Sequence, residues 1–268
     1  MHILKKMLTS STKTANDKVI AVYIIFRAIV VFNLVNEIVF TQKWGDAFIL
    51  VLTLALFTIP QITERLFNIE IPNFLELIVI LFIFSSTILG ELGDFYGYFN
   101  MWDTILHTIN GFLASGIGFS FVYLLNKNAD GINLSPLFLA IVTFCFSMTI
   151  GIMWEFIEYS ADHWMNMDMQ KDRIIQELNS VSIGEDNNTV HHIGNIEQTI
   201  VESRDESGND IKTIIDGGYL DIGINDTIKD LFVNLIGAAT FSIFGYLYTK
   251  NNQKKYKFVK NFILKKRT

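Results

Sequence analysis

The chain has 268 residues, half of them hydrophobic, with 18% charged residues and a mean hydropathy of +0.35. A soluble globular domain carries roughly 25% charged residues, so this chain lacks the charge needed to cover a core with a polar shell. The net charge is −6, but acidic residues concentrate between 162 and 221 while lysines crowd both ends. Composition therefore excludes a soluble domain, argues against nucleic-acid binding, and predicts the lipid bilayer as the main partner.

Apolar runs long enough to cross about 30 Å of hydrocarbon predict the membrane spans. There are six of them, covering residues 19–40, 46–62, 73–91, 102–125, 134–158 and 227–249. The second run is short, and Pro60 near its end is expected to terminate or kink the helix. The predicted fold class is all-α, a polytopic transmembrane bundle of about six helices with one long external loop that contains a small β element.

Lysine and arginine predict the orientation, because short loops rich in these residues resist translocation. Both ends of the chain are rich in them and are therefore expected in the cytoplasm, with the protein in the bacterial inner membrane. The predicted organisation is a cytoplasmic basic tail (1–18), five transmembrane helices (19–158), an external acidic loop (159–225), a sixth transmembrane helix (226–249) and a second cytoplasmic basic tail (250–268).

Short β-branched runs in the external loop predict its local structure. TVHHI, TIVES and IKTII are punctuated by Gly and Asn and predict strands of a small hairpin or sheet. The preceding run, MQKDRIIQELNSV, is instead expected to form a helix or loop along the membrane surface.

Polar residues within three of the spans recur every three or four positions and so share one helical face in each span. They are Asp103 and His107 in the fourth span, Glu155, Glu158 and Asp162 in the fifth, and Asp226, Asp230 and Asn234 in the sixth. The fourth and sixth spans enter from outside and the fifth leaves toward it, so the three sets are expected near the external boundary. Glu91 and Asp94, which close the third span, are expected at the same level. Gly237 and Ala238 predict a close helix contact in the sixth span.

This convergence of carboxylates predicts a functional pocket, because they cannot all stay ionised in a partly dry setting unless something positive neutralises them. The candidates are a divalent cation, shared protons, or Arg27 and His107 as counterions. Oxygen-rich ligands with one imidazole suit Zn, Mn or Mg. The alternative is that these side chains only make helix caps and interhelical hydrogen bonds.

Each residue of the predicted pocket has an expected role. The expected metal ligands are Asp103, His107, Asp226 and Asp230; the expected catalytic groups, as base or proton carrier, are Glu155, Glu158 and His107. The other polar residues expected to line the pocket are Asn234, Asp162, Glu91 and Asp94.

Three polar runs carry a family resemblance: ELGDFYGYFNMWDTILHTINGFLASGIGF, WEFIEYSADHWMNMDMQKD and GGYLDIGINDTIKDLFVNLIGA. They resemble the YjdF-like bacterial inner-membrane proteins, an uncharacterised family, and the match extends over most of the chain from about Leu75. The resemblance implies a membrane setting and no particular activity.

The same runs are more weakly similar to the VanZ-like membrane proteins, whose pattern is an Asp and a His four apart, a Glu-containing helix, and an Asp followed four residues later by Asn. The matching residues are Asp103 with His107, Glu155, and Asp230 with Asn234. Glu158 stands where that pattern has Gln, and the insertion between 170 and 217 also departs from it. The resemblance implies a role in the cell envelope.

Three functions stay open from the sequence. One is an enzyme or ligand-binding protein that acts on a lipid or lipid-linked envelope intermediate at the outward pocket. Another is an ion-coupled transporter, although polar residues are not expected to continue into the cytoplasmic half and no inverted repeat is visible. The third is a noncatalytic scaffold. The chain has no GxSxG, HExxH or Walker motif, so it predicts no hydrolase of those classes.

Overall fold

A computed structural model describes residues 17–129, 131–184, 188–250 and 253–267. Within these ranges six helices are long and apolar enough to cross a membrane, and they confirm the predicted spans: Asp17–Thr41, Trp44–Phe67, Asn73–Leu92, Trp102–Asn128, Pro136–Met165 and Ile224–Lys250. The second and fifth extend beyond their predicted ends. The predicted all-α transmembrane fold class is confirmed, with a few short strands in the later part of the chain.

The helices are numbered in chain order. They are α1 (Asp17–Asn36, continued by a π-helical turn, Glu37–Thr41), α2 (Trp44–Leu56), α3 (Ile59–Phe67), α4 (Asn73–Phe84, continued by a π-helical segment, Ser85–Leu92), α5 (Phe95–Tyr98), α6 (Trp102–Asn128), α7 (Pro136–Met165), α8 (Ile224–Lys250) and a final 3-10 helix (Lys257–Phe262). The strands are β1 (Ile69–Glu70), β2 (Arg173–Ile175), β3 (Leu178–Ser180), β4 (His191–Ile193), β5 (Gln198–Arg204), β6 (Asp210–Asp216), β7 (Tyr219–Asp221) and β8 (Lys265–Lys266).

Pro60 interrupts the second span, as predicted. α2 ends at Leu56 and α3 begins at Ile59, with Pro60 in its first turn. Proline has no backbone N–H to donate to the carbonyl four residues earlier, so the helical ladder breaks at this position. Arg27 of α1 donates from Nη2 to the carbonyl of Phe57 at 3.1 Å, which satisfies one acceptor inside the break.

The chain divides into two compact units. The first comprises residues 1–154 and 230–268, and two hydrophobic clusters form its core. One cluster joins α1, α2 and α4 around Tyr23, Leu50 and Ile80. The other joins α4, α6 and α8 around Phe119 and Phe241.

The C-terminal segment (residues 256–267) folds against the helices of the first unit, whereas the sequence predicts only a basic tail there. Val259 and Phe262 are buried, and Phe262 stacks edge-on against Phe241 with ring centroids 4.9 Å apart. β8 pairs with β1 of the loop between α3 and α4, in the register Ile69 to Lys266. Alternating apolar residues among the lysines anchor this segment.

The second unit (residues 155–229) contains antiparallel strand pairs, β2 with β7, β3 with β4, and β5 with β6. β4, β5 and β6 confirm the strands predicted from TVHHI, TIVES and IKTII. The helix or loop predicted for residues 169–181 is wrong, because this run contributes β2 and β3. β2 pairs with residues 219–221, which follow it by more than forty positions, and a partner so distant leaves no local signal in the sequence.

Candidate functional site

A close contact between α6 and α8 positions the site. A Cβ atom placed on Gly111 would lie 2.0 Å from the Asn234 carbonyl oxygen, and one placed on Gly237 would lie 2.0 Å from the Thr108 carbonyl oxygen. The two backbones therefore approach more closely than any residue other than glycine permits at these positions. Ser115 adds a hydrogen bond to the Ala238 carbonyl at 3.1 Å. The predicted small-residue contact of the sixth span is confirmed.

Three of the predicted metal ligands, Asp103, His107 and Asp230, meet one helical turn away from this contact and are called the three-ligand group below. Asp103, His107 and Asp230 each offer one ligand atom, and the three atoms all lie within 4.8 Å of one another. His107 Nε2 is 3.4 Å from Asp103 Oδ1 and 3.9 Å from Asp230 Oδ2. His107 and Asp230 are buried, and Asp230 is only 1% exposed.

These spacings suit a small divalent ion. Two ligand atoms that each lie about 2.1 Å from one tetrahedral ion are about 3.4 Å apart. The His107 to Asp103 distance matches this value, and the His107 to Asp230 distance needs a shift of about half an ångström. Asp103 and Asp230 offer oxygen atoms that are no more than 4.8 Å apart and would also have to close on the ion. Two carboxylates and a neutral imidazole would also balance the charge of a divalent ion. Three protein ligands leave a fourth position for water or for a ligand, as in catalytic zinc sites.

A network of uncharged polar side chains lies next to the three ligands, on the side of the glycine contact. Asn110 Nδ2 donates to Asn234 Oδ1 at 3.1 Å, and the Asn234 amide also faces Met148 Sδ at 3.6 Å. A Cβ on Gly151 would lie 2.6 Å from Asn234 Nδ2, so α7 presses on the same amide. Sequence reasoning missed Asn110, although its position three residues after His107 puts it on the same face of α6.

Two other predicted pocket residues of the first unit do not belong to the three-ligand group. Glu91 lies near the end of the π-helical segment that continues α4, and Asp94 is exposed and precedes α5 with a φ of 55°. The Asp94 carboxylate lies beside Gly97, at the start of that short helix.

The remaining predicted residues belong to the second unit. Glu155 and Glu158 are buried in α7. Asp162 accepts hydrogen bonds from the backbone N–H groups of Met169 and Gln170. They include the two expected bases, and their place in one pocket with His107 stays a prediction.

Asp226 stands in the second unit as an ion-pair partner. It accepts a hydrogen bond from Arg173 Nη2 at 2.8 Å and another from the Lys171 backbone N–H at 3.0 Å. Nearby, burial raises the pKa of the Asp172 carboxyl, and the carboxylates of Asp168 and Asp162 raise it further. The segment from Asp162 to Asp172 is therefore acidic. Asp226 forms ion pairs with cations of its own unit, Arg173 and Lys229.

Buried charges also occur in the half of the spans that the sequence predicts to lie toward the cytoplasm. This differs from the expectation that polar residues do not continue into that half. Glu76 of α4 is fully buried and interacts electrostatically with Tyr23 and Arg27 of α1. The Arg27 guanidinium lies 4.9 Å from the centroid of the Tyr23 ring. Glu64 is also buried and meets Arg267 of the C-terminal segment at 3.3 Å.

Comparison with known proteins places the chain in a family. A family model described as "Predicted membrane protein (DUF2238)" matches residues 19–251, which include the spans and the three-ligand group. The chain belongs to this family. The YjdF-like resemblance is consistent with membership of DUF2238, and the VanZ-like resemblance stays a prediction.

One relative of this DUF2238 protein comes from Thermotoga maritima and is described as "Uncharacterized protein". It is 26% identical over 103 residues, which cover 38% of this chain and 52% of the relative. The chain thus spans about half the length of that relative. No solved structure matches the chain.

Proposed function

We propose that this multi-pass membrane protein binds a divalent cation through Asp103, His107 and Asp230 and uses it to hold or modify a lipid or lipid-linked ligand of the cell envelope. The observation that carries the proposal is the convergence of the three ligand atoms within 4.8 Å of one another. Ionisable groups inside a membrane segment are costly and usually mark function. A bound cation offsets that cost because it neutralises both carboxylates.

The three-ligand group also has an expected location and orientation in the membrane. Lysines flank the first and last spans, so the termini lie in the cytoplasm and the three-ligand group faces the outside of the bacterial inner membrane. Such a metal supplies a Lewis acid or an activated water near the lipid headgroups. Zn, Mn and Mg are the candidates by ligand type.

Metal content of the detergent-purified protein tests the binding step. After incubation with Zn, Mn or Mg and removal of excess, we expect about one tightly bound ion per chain by plasma mass spectrometry. His107→Ala and Asp230→Asn are expected to lose it. Asp94→Asn is the matched control, because it removes a carboxylate at the same predicted boundary but outside the three-ligand group. Wild-type protein without metal, with both ligand variants merely less stable, would instead favour a scaffold.

The catalytic step needs a separate test, because a ligand-binding protein would share the metal. Glu155→Gln and Glu158→Gln change the predicted bases and leave the three ligands in place. We expect at least one of them to retain full metal content and to lose function in an envelope-stress phenotype assay. If both variants keep that function, the site binds a ligand without using these carboxylates as bases.

Ion-coupled transport is the second candidate, favoured by the buried Glu76 and Arg27 within the spans. Buried ionisable groups within the spans are typical of ion pathways and proton relays in transporters. Ion flux into proteoliposomes that is lost in both Asp230→Asn and Glu76→Gln would support it. Flux indistinguishable from empty liposomes, or unchanged in Asp230→Asn, would reject it.

A further inference from the structure

A groove runs between α7 and α8 on the outer surface of the first unit. Its volume is about 340 Å³. The α7 wall includes Leu137, Ala140 and Phe144, and the α8 wall includes Ala239, Ile243 and Tyr246. Residues three, four and seven positions apart line one helical face, so each helix contributes one continuous stripe. The small side chains of Ala140 and Ala239 leave the space between the stripes.

The α7–α8 groove lies near the start of α7 and the end of α8. Leu137 is the second residue of α7, and Tyr246 lies one turn before α8 ends at Lys250. The stripe from Ala239 to Tyr246 rises about 10 Å along the helix. The groove therefore lies at the end of the spans where α8 ends and Lys254 and Lys255 follow.

One cation, Lys250, lies at the end of the groove. Lys250 Nζ donates to the hydroxyl of Tyr246 at 2.8 Å, and its ammonium lies 5.2 Å from the Tyr246 ring centroid. Lys254 and Lys255 follow and are exposed. The Tyr256 ring packs 6.1 Å from Phe244, which lies on the face of α8 away from Tyr246. Lys250 is therefore the lysine on the groove side of this helix.

We infer that the α7–α8 groove is a binding site for one anionic phospholipid of this leaflet, with an acyl chain between the helices and the phosphate at Lys250. The lining is apolar along the membrane-embedded stripe and ends in a Tyr–Lys pair, which matches a lipid with an apolar chain and a negative headgroup. A second copy of this chain is a poorer occupant. Packing two such grooves together would bring the two Lys250 ammonium groups toward each other.

Lipid retention in mild detergent tests the inference. The full-length protein is exchanged into equimolar phosphatidylglycerol and phosphatidylcholine, and bound lipid is counted by native mass spectrometry. We expect one retained phosphatidylglycerol. Ala140→Phe and Ala239→Phe fill the groove from opposite walls and are each expected to abolish retention. Lys250→Gln is expected to weaken it about fivefold, the loss typical of one lysine at an anionic surface.

Matched variants separate the groove from general effects. Ala55→Phe adds the same ring at an exposed position of α2, and Lys127→Gln removes an exposed lysine at the end of α6. Neither is expected to change retention. Undiminished phosphatidylglycerol binding in both groove-filling variants would show that the lysines after α8 attract lipid without the groove. That result would overturn the inference. A wild-type dimer that Ala239→Phe converts to monomer would also overturn it, in favour of a second copy as the occupant.

Discussion

Gly111→Ala is the sharpest test of how the three-ligand group is built. The new Cβ would lie 2.0 Å from the Asn234 carbonyl oxygen and 2.9 Å from the Ala238 backbone nitrogen. Both neighbours are backbone atoms of a helix, so neither can rotate away. Ordinary van der Waals contact begins at 3.4 Å, and α6 and α8 would have to separate by about 1.4 Å.

This separation has two expected consequences. Overpacking a well-packed contact costs about 1–3 kcal/mol, which should lower the melting temperature in detergent by several degrees. Asp230 and His107 lie one turn beyond the contact on the separated helices, so their 3.9 Å spacing should widen. A shift of this size takes a ligand out of the first coordination shell of a small ion.

Thermal unfolding and metal content of the same preparation check both consequences. Gly118→Ala is the comparison variant, because its Cβ would lie 2.7–2.9 Å from side-chain atoms of Phe146 instead of 2.0 Å from a backbone atom. We expect this variant to keep its metal and to lose less stability. Wild-type stability together with wild-type metal content in Gly111→Ala would refute the proposed packing of α6 against α8.

Three further perturbations test other parts of the protein. Glu76→Gln is expected to cost about 3–5 kcal/mol, as breaking one partner of a buried pair does, and adding Arg27→Met should cost less than the sum of the single changes in a double-mutant unfolding cycle. Phe262→Ala should lower unfolding stability by about 3–5 kcal/mol because it empties an aromatic position of the core, and an unchanged melting temperature would mean that the C-terminal segment is not docked. Asp172 has its pKa raised in the fold by burial and by Asp168, so the stability it contributes is present below about pH 4 and lost as the pH rises through the raised value. Asp172→Asn should therefore give a small stability gain at pH 7 and none at pH 3 in melting curves, and an equal gain at both pH values would contradict the assigned cause.

Local signals in the sequence account for most of the fold. Long apolar runs locate the spans, and Pro60 predicts the break in the second because one missing N–H is enough to interrupt a helix. Strands β4 to β6 follow from β-branched runs between turn residues. β2 and β3 escaped prediction since their pairing partners, β7 and β4, lie farther along the chain, and pairing rather than local propensity decides short strands.

The candidate site was predictable in part, through the four-residue spacing of Asp103 with His107. Spacing along one helix gives the shared face, but which faces meet depends on close approaches such as Gly111 against the Asn234 carbonyl. The role of Asp226 could not be predicted, because Arg173 reaches it from a strand. Glu76 escaped notice because its partners, Tyr23 and Arg27, lie on another span.

The docked C-terminal segment affects the order in which the protein is completed. Arg267 and its partner Glu64 are 203 residues apart in the chain. Ribosomes add about 5–20 residues per second, so Glu64 waits roughly 10–40 s for that cation. Until the C-terminal segment is made, Glu64 lacks its Arg267 partner and β1 lacks the strand that pairs with it. A nascent chain arrested before residue 256 is therefore a distinct state of the bundle, open on this side and exposed to quality-control proteases.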